Sequence, residues 1–584
     1  MVTRSLRRKW PLAPLREASS PSEVRSFRRQ SVAERASRAL RTAALVIWSG
    51  VFSCLPGAPA LGADGAQREA LRQRIESLRT GGDPILGAGS DAARALIAGL
   101  YEQRGFAPLW ADEARERALL SAIAGSRSHG LDPRDYHAAA LAGRAAPAQP
   151  LATAERELLL TDAFVRLAYH LHFGKADPRA LQHGWNFPRS LGGEDPAQAL
   201  ARLTAQADPS AALESLAPAL PVYRDLRRAL ERLRAIESAG GWPPVGDGAK
   251  LDAGSRGPRV AQLRARLRAG GDLPDGPDGD AFDAELEAAV RRFQARHGLE
   301  ADGVVGRATL AALNVPVSGR IDQVRANLER LRWVSRELTG DYLLVDIAGF
   351  DAELWLDGAR AWQARVVVGR PFRRTPEFRA PMKYLVLNPE WHVPPTILRE
   401  DLLPKLARDP GHLARQHMRV LDSAGRTVDP VTVDWQRYGA QSRAFPYQIV
   451  QAPGPDNPLG RVKFMFPNAH AVYLHDTPAR GLFDRSVRAF SSGCIRIERP
   501  LELAERLLDD AQRWGAEQLR EAIDSGRTTT VTIRRQVPVL LLYFTATAAD
   551  GEIRFRPDLY GRDAPIVRAL AAPFRFAPLD VGRR

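Results

Sequence analysis

A multidomain α+β chain is what the sequence predicts, and three observations predict it. Apolar residues recur at helical spacing from Ala66 to about Trp242. A Pro/Gly stretch, GGWPPVGDG at 240–248, then sets off a compact helical unit. From Tyr342 onward the period changes to short β-branched and aromatic runs between Gly/Pro turns. The expected order is a helical N-terminal domain, a three-helix domain and a β-rich domain carrying an inserted cap. The 584 residues suffice for about three or four domains of ~150 residues each. With 45% hydrophobic and 26% charged residues, the composition excludes a polytopic membrane protein and a wholly disordered chain.

The first element is a leader, residues 1–63. Residues 1–41 hold eleven basic and three acidic residues, more than half of the chain's net charge of +15. The basic excess is therefore local, and no nucleic-acid partner is expected. Ala43–Leu55 is an apolar run too short for the ~20 residues that span a bilayer, and Ala58-Pro59-Ala60 follows it. That order fits an export signal, with an uncleaved membrane anchor as the alternative. Cleavage after Cys54 would leave Cys494 as the mature chain's one thiol.

Next comes a helical scaffold over 64–245, striped by Leu158, Leu159, Ala163, Leu167 and Leu171. His170 and His172 stand two apart on it and so diverge, which disfavours a metal site. The unit over 250–316 carries helices marked by Val260, Leu263 and Leu267, by Leu286, Ala289, Val290 and Phe293, and by Leu310 and Leu313. Its wording AVRRFQARHGLEADGVVGRATLAALN resembles the three-helix peptidoglycan-binding domain. A connecting helix is expected over 317–340, with Ile321, Val324, Leu328 and Leu331 on one stripe. The β-rich domain follows over 341–550, with a cap at about 398–443, and a C-terminal segment over 551–584 ends the chain.

The chemistry concentrates in YLHDTPARGLFDRSVRAFSSGCIRI, Tyr473 to Ile497. A thiol needs conversion to thiolate to attack a carbonyl, and a nearby imidazole is the usual means, so Cys494 and His475 are candidates for such a pair, which one Cys and one His alone do not establish. Gly493 frees the backbone before the cysteine, and the N–H groups of Gly493 and Cys494 are the candidate oxyanion donors. Zinc held by His470, His475 and Cys494 is the weaker reading, because no fourth ligand has a tight spacing. Arg496 is either a clamp for a substrate carboxylate or half of an ion pair. Tyr473, two residues before His475, shares its face of the strand and either lines the site or packs in the core.

His475-Asp476-Thr477 followed by Ser491-Ser492-Gly493-Cys494-Ile495-Arg496 resembles the signature of the L,D-transpeptidases with a YkuD-type fold. The family commonly has glycine after the first histidine and a second histidine before Gly-Cys; here Asp476 and Ser492 stand there. These departures resemble the large YcbB-type subgroup, as do Leu109-Trp110, Gly130-Leu131-Asp132-Pro133, Asn327–Trp333, Arg374-Thr375-Pro376, Asn388–Pro395 and Pro453-Gly454-Pro455. The resemblance implies a YkuD-like catalytic domain acting on murein, with Cys494 as nucleophile and His475 as base. It implies attack on the third stem residue, loss of terminal D-alanine, and a thioester resolved by another stem's amine as a 3→3 cross-link. Arg496, Tyr473 and Ser492 become candidate substrate contacts, and Trp391 and His392 neighbours of the donor groove. Peptidoglycan donor and acceptor stems are the expected partners, carbapenems the expected inhibitors, and the periplasm the expected location. No cofactor or metal is expected. The alternatives are an L,D-carboxypeptidase with water as acceptor, and a murein-binding scaffold protein.

Overall fold

The computed structural model describes residues 63–80, 91–142, 149–438 and 445–580, so the leader, with Ala43–Leu55 and Cys54, lies outside the described residues. Helices come first, and their starts are written in the sequence. Asp132, Asp177, Asp195 and Asp208 each precede a proline and accept a hydrogen bond from a first-turn backbone N–H. Aspartate satisfies an orphan donor while proline fits the first helical position, where no N–H is needed. The long helix Pro150–Phe173 forms the centre of this region and buries nearly all its length. Its Glu157 and Thr161 hold the Leu109-Trp110 corner: the Trp110 indole N–H donates to Thr161 at 2.9 Å, and the Tyr101 hydroxyl to Glu157 at 2.8 Å. Among the described residues no helix is long and apolar enough to cross a membrane.

The three-helix unit consists of Pro258–Ala269, Ala284–Arg296 and Arg307–Leu313 around Val260, Leu263, Leu286, Phe293 and Leu313. Gln294 explains part of the motif's fixed order. Its amide nitrogen donates to Asp302 at 2.7 Å and to Thr309 at 3.1 Å, and its oxygen accepts the Gly303 N–H at 2.9 Å.

Helix Val317–Val334 is no mere connector, as its expected role had it. It is buried through Arg330-Leu331-Arg332-Trp333-Val334, with Glu329 and Arg332 fully enclosed as an ion pair of 2.5 Å. Asn327 receives the Thr545 N–H at 3.0 Å, and Arg330 pairs with Asp563 at 2.6 Å. The helix thus forms a common wall between the N-terminal helices and the end of the chain.

The β-rich domain begins with β1 (Tyr342–Asp346), β2 (Asp351–Leu356), β3 (Ala359–Gly369), β4 (Phe378–Pro381) and β5 (Tyr384–Leu387). An insertion supplies β6 (Trp391–His392), β7 (Met418–Leu421), β8 (Thr427–Val428) and β9 (Gln448–Gln451), which pair among themselves in the order β6-β9-β7-β8. This cap has its own core of Leu398, Leu402, Leu406, Leu413, Val420, Trp435 and Ile449. Its sheet needs both ends of the insertion, so the cap reaches from Trp391 to Gln451 and is wider than the expected 398–443.

The main sheet resumes with β10 (Val462–Met465), β11 (Leu474–His475), β12 (Ala489–Ser491), β13 (Ile495–Ile497), β14 (Thr529–Thr532) and β15 (Pro538–Leu542). Its order is β14-β5-β10-β11-β13-β3-β2-β1-β15-β4, with β12 beside β3, and the sheet curls around Val366, Leu385, Phe464, Leu474 and Ile495. The architecture is thus the mixed helical and β fold expected. The hairpin β16 (Ala546–Ala549) and β17 (Glu552–Phe555) leaves this sheet. Ala546, Ala548, Phe555, Ile566 and Leu570 join the core of the N-terminal helices instead. The expected break at 550/551 would cut this hairpin in two; the chain changes layers at about Thr545.

Candidate active site

Strand register assembles the site. β11 and β13 are parallel neighbours, with Leu474 opposite Ile495 and His475 opposite Arg496. On a strand, alternate residues share a face. Tyr473 and His475 therefore stand beside Cys494 and Arg496. The antiparallel β10 adds Lys463, which lies opposite His475. Sequence reading missed Lys463; the alternation within Val462–Met465 was the only available sign, and it does not reveal which strand lies alongside.

Cys494 is partly exposed and free. Its Sγ lies 3.9 Å from the Ala471 carbonyl oxygen, and Tyr473 directs both its backbone N–H and its hydroxyl at the sulfur. Ala471 itself is held at φ +53°, a costly backbone state for a residue with a Cβ, one step from this site. The Lys463 ammonium sits 4.0 Å over the Tyr473 ring, and the rings of Tyr473 and His475 are 5.7 Å apart. Among the described residues no hydrogen bond joins Sγ to His475.

His475 is buried, with 4% of its surface exposed, and its Nδ1 lies 2.5 Å from the Asp476 carbonyl oxygen. A carbonyl can only accept, so Nδ1 carries the proton and Nε2 keeps its lone pair. Burial, reinforced by Arg496, pushes the imidazole down to about 3. Burial pushes the Cys494 thiol up, against the pull of Tyr473, Lys463 and Arg496. At rest the thiol and the imidazole are therefore both neutral, so a proton transfer between them would run to an imidazole lone pair rather than start from an imidazolium.

The two departures from the family motif have local reasons. Asp476 is 2% exposed, accepts the Arg461 N–H at 2.8 Å and pairs with Arg480 at 2.7 Å. Its carboxylate occupies the space over Gly460, where a Cβ would come within 2.3 Å of Oδ2. Ser492 is exposed and accepts a 2.9 Å hydrogen bond from Arg373. That arginine also pairs with Glu400 at 2.8 Å and Asp401 at 2.5 Å, so it ties the Cys494 turn to the cap.

The oxyanion expectation needs correcting at Gly493. Its N–H already donates to Ser491 Oγ at 3.1 Å, leaving Cys494 N–H as the candidate. The Gly493 carbonyl accepts from Thr375 Oγ1 at 2.9 Å, and Thr375 Oγ1 accepts the Gly369 N–H at 2.9 Å. Behind them the Tyr560 hydroxyl donates to the Gly369 carbonyl at 2.6 Å. Thr375 and Tyr560 therefore hold the turn before Cys494, from outside the His475–Cys494 signature.

Arg496 has no ion pair among the described residues, and its buried Nε has no partner. Burial and the neighbouring Arg370 push its guanidinium down. An under-neutralised cation beside the thiol suits a substrate carboxylate better than a structural pair. The other histidines do not gather here. His470 packs on Phe378 at 4.9 Å and under Gly184, while His392 is exposed beside Glu390. Among the described residues no group of three His, Cys, Asp or Glu side chains could hold a metal ion.

Comparison with known proteins places this region within a family domain. Three family models match: a scaffold domain over 95–230, a peptidoglycan binding domain over 256–313, and an L,D-transpeptidase catalytic domain of the YkuD type over 340–533. A Haemophilus influenzae protein named "Putative L,D-transpeptidase" is 40% identical over 240 residues, 41% of this chain and 48% of that protein. This chain therefore spans about half the length of that relative. The N-acetylmuramoyl-L-alanine amidase CwlM of Mycobacterium tuberculosis is 43% identical over 76 residues, 12% of this chain and 19% of that protein. A crystallised L,D-transpeptidase from Xylanimonas cellulosilytica aligns with 51% of this chain and 99% of its own at 16% identity, with a TM-score of 0.16, and nothing rests on that likeness. The chain carries a YkuD-type L,D-transpeptidase catalytic domain, joined to a peptidoglycan-binding domain and a scaffold domain.

Proposed function

We propose that this chain is a murein L,D-transpeptidase that forms 3→3 cross-links through a thioester on Cys494. The observation that carries the reading is the single face shared by Cys494, Tyr473, His475, Arg496 and Lys463. Sγ adds to the carbonyl of the third stem residue while His475 Nε2 takes the thiol proton. Cys494 N–H receives the developing oxyanion. The amide bond to terminal D-alanine then breaks, and its nitrogen leaves with the proton from His475. In the second half the side-chain amine of an acceptor stem attacks the thioester, gives up a proton to Nε2, and restores the thiol. Arg496 holds a donor carboxylate, and Tyr473 stabilises the sulfur's negative charge with two donors. Nothing in this path calls for a cofactor.

Transfer rather than hydrolysis is supported by the cap, which Arg373 ties to Ser492 beside Cys494, since excluding water from a thioester favours an amine acceptor. Such a reaction belongs in the periplasm, in keeping with the basic leader and apolar run. The test is the muropeptide profile of sacculi incubated with the purified protein. We expect 3→3 dimers together with released D-alanine; D-alanine without dimers would assign the carboxypeptidase instead. Intact mass after carbapenem treatment checks the nucleophile: one adduct on the wild type and none on Cys494→Ala.

A further inference from the structure

A cavity of about 720 Å³ opens where the N-terminal helices, the peptidoglycan-binding unit and the β16–β17 hairpin meet. Its walls include Arg232, Arg266, Arg292, Arg296, Arg320 and Trp242. Of these five arginines Arg296 alone is in an ion pair, with Asp272, itself 3% exposed in its side chain; the lining also holds Arg268, which pairs with Asp278, and the exposed Asp550 and Glu552. Among the described residues the other four arginines have no ion pair. Arg266 is 1% exposed and Arg320 7%, so water does little to screen them.

Their hydrogen bonds go to neutral groups. Arg266 Nε donates to the Leu313 carbonyl at 2.7 Å, and its guanidinium stacks 3.9 Å from Trp242. Arg320 donates to Gln323 at 2.8 Å and to the Ala312 carbonyl at 3.0 Å, lying over Phe555 at 4.6 Å. Arg266 Nη1 and Arg320 Nε are buried with no partner at all. Arg232 bridges to the hairpin through the Gly551 carbonyl at 2.9 Å, and Arg292 to the Asp272 carbonyl at 3.0 Å. Burial and mutual repulsion among Arg266, Arg296 and Arg320 lower the first to about 10 and the last to about 9. Three guanidiniums sharing one buried carboxylate is an unfavourable arrangement for an empty, purely structural junction. An incoming anion would relieve it.

We infer that this junction is an anion-binding site for a peptide bearing two or more carboxylates, a murein stem held away from the catalytic cysteine. The identity of that ligand rests on the murein reading above; the need for negative charge rests on the arginines alone. The volume suits a peptide fragment rather than a single ion. Trp242 offers an apolar wall, and guanidinium groups take carboxylates bidentately. Because the walls come from three parts of the chain, occupation would also brace the peptidoglycan-binding unit against the hairpin.

The test uses the full chain and a purified soluble disaccharide tetrapeptide, with the same compound amidated at its carboxyls as control, at one ionic strength. Hydrogen exchange should show protection of residues 266–272 and 550–555 by the acid form and not by the amidated form. Arg320→Gln and Arg292→Gln should each weaken that protection about ten-fold, the worth of one charge-assisted hydrogen bond. Arg292 is exposed, so its variant keeps the test alive if Arg320→Gln does not fold. Carbapenem acylation of Cys494 should be unchanged in both. Equal protection by the amidated compound, no protection of these segments, or affinities untouched by both variants would overturn the proposal. A failure of the catalytic reading would appear separately, as a missing Cys494 adduct.

Discussion

Replacing His475 by Gln tests the chemistry most directly, because the structure dictates both the size and the pH dependence of the effect. The imidazole sits near 3, so between pH 5 and 8 it is a neutral base throughout. The thiol lies above the ordinary range of ~8.5, so at pH 7 no more than a few per cent is thiolate. A wild-type protein that works by general-base transfer within this neutral pair should acylate with a carbapenem at nearly constant rate across pH 5–8. His475→Gln keeps a polar side chain but removes the lone-pair base. It should then depend on free thiolate, lose about 10²–10⁴-fold near neutrality, and regain about ten-fold per pH unit up to the thiol's own pKa. Stopped-flow acylation of both proteins, with circular dichroism as a check on folding, measures this. A wild-type profile with a limb near pH 6.5 would mean that an imidazolium forms in the working range. Parallel profiles of equal rate would make His475 structural and refute its role as base.

Three further outcomes follow from particular contacts. Asp346 accepts the Ala348 and Phe544 N–H groups, and burial raises its carboxyl to about 7. The folded protein therefore holds a proton there that the unfolded chain releases near ~4, so stability falls as pH rises from about 4 to 7 and stays lowered above. Asp346→Asn should gain roughly 2–4 kcal/mol relative to wild type at pH 8 and little at pH 4, read from denaturant midpoints; an equal difference at both would contradict the assignment. Thr375→Val orphans the Gly369 N–H and releases the Gly493 carbonyl, so it should cost about 1–3 kcal/mol of stability and slow acylation at unchanged pH profile, whereas Thr375→Ser should restore both. Arg373→Ala unties the cap residues Glu400 and Asp401 from Ser492; the ratio of hydrolysed to transferred stem should rise in the muropeptide profile, and an unchanged ratio would remove the cap from acceptor control.

What was legible in the sequence was whatever is local or periodic. Apolar residues at helical spacing marked the helices, β-branched and aromatic runs between Gly/Pro turns marked the strands, and one short stretch held both Cys494 and His475. Arg496 and Tyr473 were legible too, because residues two apart on a strand share a face. Lys463 was not, since its place depends on β10 lying against β11, a pairing that no local pattern encodes. Gly493 illustrates the opposite error. Glycine before a nucleophile frees a backbone N–H in principle, but Ser491, two residues earlier, claims it. The cap's width escaped for a related reason: β6 and β9 pair across more than fifty residues, so neither end of the insertion looks like part of it from sequence alone. Thr375 stood within a motif whose purpose became readable only once Tyr560 arrived behind it.

The return of the chain's last part to its first helices sets an order of events at its birth. The Tyr169 hydroxyl donates to the Ala577 carbonyl across 408 residues, and the Lys175 ammonium to the Leu570 carbonyl at 2.8 Å. Ile566 and Leu570 complete the same apolar cluster that Leu158 and Phe164 begin. The N-terminal helices therefore emerge from the ribosome with part of their core still unsynthesised. Contacts this distant are slow to form, because the intervening loop must close before it is rewarded. Until residues near 570 appear, the early helices present a half-filled apolar groove, so their final packing waits on the last part of the chain.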